Sequence, residues 1–300
     1  MITHNESSPV LPSKVVVLGA SGFVGNDLIG HLAQLGIPTV PLSSKEVDLS
    51  KPESSDMLQQ LVAKSDALVF LSAIAPDKGR DVATLMKNLA MGENVARFLG
   101  NSPCSQVIYV SSDAVYEDAA NPVREASCAS PSSLHGVMHL VRERMLSHVL
   151  KDSGIPFLIL RPTLLYGTGD THNGYGPNRY LRTAQKDRKI TLFGEGEEKR
   201  DHVYVKDVSR LIGLCLLHRS EGVLNVATGT SLSFLKVAQT VAGLCEAEIE
   251  IECLPRAMPV THRHFDVADT MRAFPSFKFI PFEAGLGETF ENSQHLASGG

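Results

Sequence analysis

"KVVVLGASGFVGNDLIGHLAQLG", Lys14 to Gly36, begins as one kind of structure and ends as another. Val15 to Leu18 form an unbroken apolar, mostly β-branched run, the pattern of a short strand buried on both faces. Gly19, Gly22 and Gly25 then give G-x-x-G-x-x-G, and Leu28, Ile29, Leu32 and Leu35 recur at helical spacing until the stop at Gly36. A strand that turns on glycines into a helix aims main-chain N–H groups and the positive end of the helix at one spot. That spot suits a pyrophosphate, because small residues let it come close. Gly19, Ser21, Gly22, Phe23, Val24 and Gly25 are therefore the expected phosphate-binding loop for a dinucleotide.

Outward from this unit the alternation continues. "IPTVPL", "DALVFLSAIA" and "SQVIYVSS" read as strands, with "VATLMKNLAMGENVARFLG" as an amphipathic helix between the last two. Alternating strands and helices predict an α/β fold, a Rossmann-like doubly wound parallel sheet. The second strand ends in Ser43, Ser44 and Lys45, where an NAD-specific site offers an acid to the ribose hydroxyls. Two hydroxyls and a cation suit a 2′-phosphate instead, so the reading leans to NADP, while Glu46 and Asp48 keep NAD open. Asp48, Leu49 and, after the third strand, Ala73 complete the candidate cofactor set.

The whole chain narrows the remaining classes. Its 300 residues, 43% hydrophobic, can bury a large core, and the net charge of -5 offers no basic face for nucleic acid or an anionic membrane. Five scattered cysteines without Cys-x-x-Cys spacing suggest neither a disulfide framework nor a zinc site, which fits a reducing cytoplasmic setting. No apolar window is long enough to span a bilayer. Residues 1–13 read as a disordered polar leader and 293–300 as a loose tail.

Seven ordered segments resemble the extended short-chain dehydrogenases/reductases, the NAD(P)-dependent epimerase/dehydratase family acting on nucleotide sugars. They are "GASGFVG", "VIYVSSDAVYED", "NPVREAS…PSSLHGVMHLVRERM", "LRPTLLYGTGD", "ITLFGEGEEKRDHVYVKDV", "GVLNVATGTSLSF" and "FIPFEAGLGETF". The resemblance implies an NAD(P)-binding domain of residues 14–162 plus 203–227. A smaller, discontinuous C-terminal substrate-binding lobe would take 163–202 plus 228–292. It also implies an oxidoreductase or isomerase, a nucleotide-sugar substrate and a homodimer.

In that family a Ser, a Tyr and, four residues on, a Lys share the chemistry. The Tyr exchanges a proton with a sugar hydroxyl, the Lys holds the nicotinamide ribose and lowers the Tyr pKa, and the Ser orients the substrate oxygen. The matching positions here are Ser112, His135 and His139. Asp113 matches an acid of the sugar dehydratases, but the Glu that follows it there is Ala114 here. Histidine, unlike tyrosine, needs no cation to exchange protons near pH 7, so His135 can serve as acid/base and His139 can hydrogen-bond the ribose. Three alternatives stay open: a binding protein without turnover, a metal held by the i, i+4 histidines, or a proton from Tyr116, Tyr166 or Tyr175. Glu143 is placed either beside His139 or in a structural role, and Arg142 and Arg144 on a solvated face.

On the substrate side, the resemblance makes Asn178 and Arg179 candidate sugar-nucleotide contacts after a glycine-rich loop. Arg200 and Arg256 match positions that hold the diphosphate. Two guanidinium groups on one diphosphate make physical sense, because each can bind its oxygens bidentately.

Overall fold

The computed structural model describes residues 2–171, 176–257 and 259–298. Along the chain the strands are β1 (Thr3–His4), β2 (Val15–Leu18), β3 (Thr39–Leu42), β4 (Ala67–Phe70), β5 (Gln106–Val110), β6 (Phe157–Pro162), β7 (Leu164–Tyr166), β8 (Lys189–Phe193), β9 (Lys199–Tyr204), β10 (Ser220–Val226), β11 (Ser231–Ser233) and β12 (Glu250–Leu254). The helices are α1 (Phe23–Gln34), α2 (Ser54–Leu61), α3 (Val82–Asn101), α4 (Leu134–Leu150), α5 (Pro177–Asp187), α6 (Val205–Leu217), α7 (Phe234–Leu244), α8 (Ala268–Ala273) and α9 (Phe282–Ser298).

The main sheet runs β3-β2-β4-β5-β6-β10-β1, parallel except for β1. Its strands are short apolar runs because both faces are covered. Val15 and Val17 face a layer containing Leu28 and Leu32 of α1 and Leu211 and Ile212 of α6. Val16 and Leu18 face Leu58 of α2, Val95 and Phe98 of α3, and Leu146 of α4. Burying side chains of this size contributes about 1.5–3 kcal/mol each, which makes this double-sided core the main source of stability. The chain leaves β2 for β3 on one side and reaches β4 on the other, so the strand order reverses at the C-terminal end of β2. That switch point is where an open parallel sheet leaves a crevice for a ligand.

A second set of elements follows β6. β11-β9-β7 form one small sheet and β12-β8 another, around a core that includes Tyr166, Tyr180, Leu192, Tyr204, Val237 and Leu286. Among the described residues no helix is long and apolar enough to cross a membrane.

Two expectations are corrected. The leader is ordered: Thr3 and His4 pair with Glu221 and Ser220 of β10, and Glu6 N–H and Val10 N–H donate to the carbonyls of His218 and Leu217. The β1 pairing gives β10 a neighbour on its outer side, the Glu6 and Val10 bonds tie the leader to the end of α6, and buried Ile2 adds to the main core. The tail is also largely regular, since α9 runs through to Ser298 and Ser293 Oγ donates to the Phe290 carbonyl at 2.7 Å.

Candidate active site

The glycine loop leads directly from β2 into α1. Gly22 caps α1 without a side-chain hydrogen bond, so no side chain of the loop claims the first-turn amides. A Cβ on Gly25 would stand 2.3 Å from the Gly19 carbonyl oxygen, and one on Gly19 2.8 Å from Ser72 N. Any other residue would push loop, helix and β4 apart. An open helix N-terminus on a loop that tolerates no side chains fits a dinucleotide pyrophosphate.

Beyond β3, Glu46 draws the Ser43 N–H and hydroxyl onto its carboxylate at 2.8 and 2.6 Å, and these bonds hold it below the usual carboxylate range. Ser43 is therefore engaged by an acid, with Ser44 and Lys45 beside it. Asp48 accepts from Ser50 N–H and Oγ, which likewise lowers its pKa. The Leu49 side chain is in the core and its carbonyl accepts from Asn94. Ala73 precedes Ile74, whose N–H and carbonyl are both pinned by the Asn88 amide of α3.

Ser112, Asp113, His135, Thr163, Asn178 and Phe23 line one cleft of about 240 Å³ at the ends of β5, β6 and the glycine loop. Local packing brings Ser112 and His135 together. Ser112 Oγ caps a single 3₁₀ turn, Asp113–Val115, by accepting from Ala114 N–H at 3.1 Å. Ser133 caps α4 by accepting from Gly136 N–H, which puts His135 in the first turn. A Cβ on Gly136 would stand 2.0 Å from the Ala114 carbonyl, so the helix abuts the Ser112 turn backbone to backbone.

His139 lies one turn below. Its ring meets His135 edge-on at 4.6 Å, and its Nδ1 is 2.7 Å from the Tyr109 hydroxyl on β5. Burial, then the neighbouring His135 and Arg142, hold its pKa well below the ordinary imidazole value, so it is neutral at pH 7. Arg142 is not on a solvated face. It is fully buried, with Nε and Nη2 donating to the Asn88 carbonyl at 2.9 and 2.6 Å and Nη1 to the Ser72 carbonyl at 2.8 Å. The space for it comes from α3, where a Cβ on Gly92 would lie 2.7 Å from Arg142 Cγ.

Glu143 takes the structural role. It accepts from Ser111 Oγ at 2.6 Å and from both Arg161 Nε and Nη2, leaving nothing for His139. Tyr116 is buried under the Arg161 guanidinium, donates to Asn225 and has a raised pKa through burial. Tyr166 is buried and donates to the Phe282 carbonyl, its pKa also raised by burial. Neither hydroxyl is placed to trade protons with a substrate; Tyr175 lies outside the described residues.

The substrate side is more self-contained than expected. Asn178 spends both ends of its amide on Gly167, accepting from its N–H at 3.0 Å and donating to its carbonyl at 2.7 Å. It braces the loop after β7; Arg179, next to it, is half-buried. Arg200 pairs with Glu198 and donates to the Thr261 carbonyl. Arg256 pairs with the other oxygen of the same carboxylate at 2.6 Å. The two arginines do converge on one anion, and that anion is Glu198.

Sequence reasoning missed three residues here. Arg263 donates to the Asp113 carbonyl at 2.9 Å and stands 3.5 Å from its carboxylate. Burial raises the Asp113 pKa against the opposing pull of Arg263 and Arg200. His202 also lines the cleft, yet neither ring nitrogen has a hydrogen-bond partner among the described residues, and burial pulls its pKa down to about 3. Glu198 is the third. The triplet "EEK" gave no sign of which carboxylate turns inward.

A family model for the NAD dependent epimerase/dehydratase family matches residues 15–227. The chain is 22% identical over 254 residues to a dTDP-4-dehydro-6-deoxyglucose reductase of Escherichia coli, covering 76% of this chain and 80% of the relative. In fold it is similar to a GDP-L-fucose synthetase of Naegleria fowleri bound to NADP, with a TM-score of 0.86, 18% identity and coverage of 98% and 97% of the two chains. It is likewise similar to the Thermus thermophilus UDP-glucose 4-epimerase in complex with NAD, at a TM-score of 0.82, 21% identity and coverage of 94% and 99%.

Proposed function

The chain belongs to the NAD-dependent epimerase/dehydratase family, and from that premise we propose that it is an NAD(P)-dependent oxidoreductase of nucleotide sugars in which His135 carries the proton. The observation that supports this most is the shared cleft: Ser112 and His135 line one space together with Phe23 of the cofactor loop. A relative named as a reductase and a fold neighbour named as an epimerase both act on nucleotide sugars, which supports the substrate class.

The nicotinamide, when bound, supplies or accepts the hydride. Everything else falls to the chain's own groups. The Gly19–Gly25 loop holds the pyrophosphate on its amides. Ser44 and Lys45 favour NADP through the 2′-phosphate, opposed by Glu46. Ser112 Oγ donates to the reacting sugar oxygen, and His135 takes or returns its proton. His139, neutral, donates one hydrogen bond to the ribose in place of a lysine. Asp113 stays beside Ser112, held by Arg263, and Arg200 and Arg256 face the diphosphate, with Asn178 and Arg179 on the sugar-nucleotide side. Residues 163–202 with 228–292 would form the substrate lobe of a cytoplasmic homodimer.

One observation favours a second reading, a binding protein without turnover: Asn178, Arg200 and Arg256 are each already engaged by protein partners. Incubation with NADPH or NADH and a panel of UDP-, GDP- and dTDP-sugars, read by NMR, separates the two. New sugar resonances support the enzyme; tight NADPH binding without any product supports the binder. Replacing His135 with Tyr and His139 with Lys together sharpens the test, since a gain marks a degraded site and a loss a repurposed one.

A further inference from the structure

His135 lines two cavities. Besides the cleft that holds Ser112, a second and larger space of about 350 Å³ lies between the loop after β4 and the first turns of α3 and α4. Pro76, Ala114 and His135 line both, so the two spaces adjoin at the imidazole. The second one borders neither the Gly19–Gly25 loop nor the lobe that carries Arg200 and Arg256; its walls come wholly from residues 74–138. They are mostly apolar, with Ile74, Leu85, Leu134 and Met138 among them, and the one arginine or lysine that lines them is Arg80.

The loop that carries Arg80 is braced at both ends. Asn88 of α3 holds Ile74 by its N–H and its carbonyl, and a Cβ on Gly79 would stand 2.2 Å from Thr84 Oγ1, so the loop lies directly on the first turn of α3. Arg80 Nε donates to the Pro76 carbonyl at 2.9 Å, which closes the loop on itself. A guanidinium has five N–H donors, and this bond takes one. Among the described residues no hydrogen bond and no carboxylate takes either Nη. Asp81, beside it on the same wall, is committed elsewhere: its Oδ1 caps α3 by accepting from Thr84 N–H and Oγ1 at 2.8 and 2.7 Å, where the positive end of the helix offsets its charge. What remains is a guanidinium with an anchored Nε and an open pair of Nη groups on the wall of an apolar space. Such a fork binds a carboxylate bidentately, and apolar walls offer a carboxylate nothing else.

We propose that this second cavity takes a substituent of the sugar ring that has a short apolar stem and ends in a carboxylate, with Arg80 as its partner, so that Arg80 selects acidic nucleotide sugars. The stem follows from the room available, which exceeds what a bare carboxylate fills. With the reacting oxygen at Ser112 and His135, the diphosphate lies toward the lobe arginines and the substituent passes Pro76 and Ala114 into the second space. The inference deepens the nucleotide-sugar reading and rests on it.

The test is calorimetric titration of the full chain, with NADPH present, comparing UDP-N-acetylmuramic acid with UDP-N-acetylglucosamine. The two differ only by a lactyl ether, a methyl-bearing stem that ends in a carboxylate. The acidic sugar should bind about tenfold more tightly, and Arg80→Gln should bring the two within about twofold while Arg80→Lys keeps part of the preference. Leu134→Trp, which fills the cavity from α4, should weaken the acidic sugar and leave the neutral one within about twofold. Equal affinity for the two sugars in the wild type, or binding of neither, overturns the proposal, and so does a preference that survives Arg80→Gln. A stronger preference for UDP-glucuronic acid, whose carboxylate is on the ring itself, overturns the stem. Turnover of neutral nucleotide sugars with no preference for the acidic one overturns the cavity's role and leaves the enzyme reading standing. A preference lost in Arg80→Gln, in a protein that turns over no nucleotide sugar, overturns the enzyme reading instead and leaves the cavity's role standing.

Discussion

Glu198→Gln should tighten nucleotide diphosphate binding, and the size of the effect follows from the bridge it breaks. Glu198 meets Arg200 through one carboxylate oxygen and Arg256 through the other, with side-chain exposures of 17%, 21% and 16% for the three residues. Two unit charges about 4 Å apart attract by about 4 kcal/mol at an effective dielectric of 20. Partial exposure and side-chain entropy reduce this to about 1 kcal/mol per pair. A diphosphate that displaces the carboxylate must overcome two such pairs, about 2 kcal/mol, or about thirtyfold in affinity. Glutamine keeps the shape and removes the charge. Calorimetric titration with UDP, GDP and dTDP should therefore give a dissociation constant about ten- to thirtyfold lower in the variant, with a steeper loss of affinity as salt rises. A change of less than twofold, in a variant that unfolds at the wild-type urea midpoint, would refute the assignment of this arginine pair to the diphosphate.

Three further outcomes are expected. His135→Phe should lower turnover by about 10²–10⁴ while leaving NADPH affinity within twofold; unchanged turnover would mean the proton travels by another group. Glu143→Gln, which strips a buried guanidinium of its bidentate partner, should cost about 3–5 kcal/mol in urea unfolding, and a loss under 1 kcal/mol would show Arg161 is satisfied without it. His202 has a folded pKa of about 3 against an ordinary 6.5, so the native state binds fewer protons than the unfolded chain below pH 6.5. Its contribution is complete above that pH and falls by about 1.4 kcal/mol per unit below it, so His202→Phe should flatten the acid limb of stability against pH. An acid limb of unchanged slope would contradict the burial of that imidazole.

The elements that could be read from the sequence were those whose cause is local. Val15–Leu18 is a strand because four apolar residues in a row can be buried on two faces, and Gly25 is required because a helix starts against its own loop. The resemblance located Ser112 and His135, and helix spacing placed His139 below His135 on one face. What could not be read depends on partners distant in the chain. Arg142 reads as a surface arginine until Gly92, fifty residues earlier, is seen to clear a space for it. Glu143 sits at the right spacing for His139 but is captured by Arg161, because a buried guanidinium binds a carboxylate more strongly than a neutral imidazole does. Arg263 and Glu198 lie in charged stretches whose inward and outward members differ only by the path of the loop. The polar leader hid its role for the same reason: pairing with β10 uses main-chain groups, which every sequence carries.

That pairing bears on how the protein behaves in quantity. β10 is long and parallel on one side to β6; on the other, β1 pairs with Ser220 and Glu221, and Glu125 and Thr270 take the N–H and carbonyl of Asn225. Strands with a bare margin recruit strands from other molecules. β1 closes that margin at Ser220 and Glu221, so a cleavage site or tag placed within it should reach the laboratory first as turbidity, with the cofactor loop still intact.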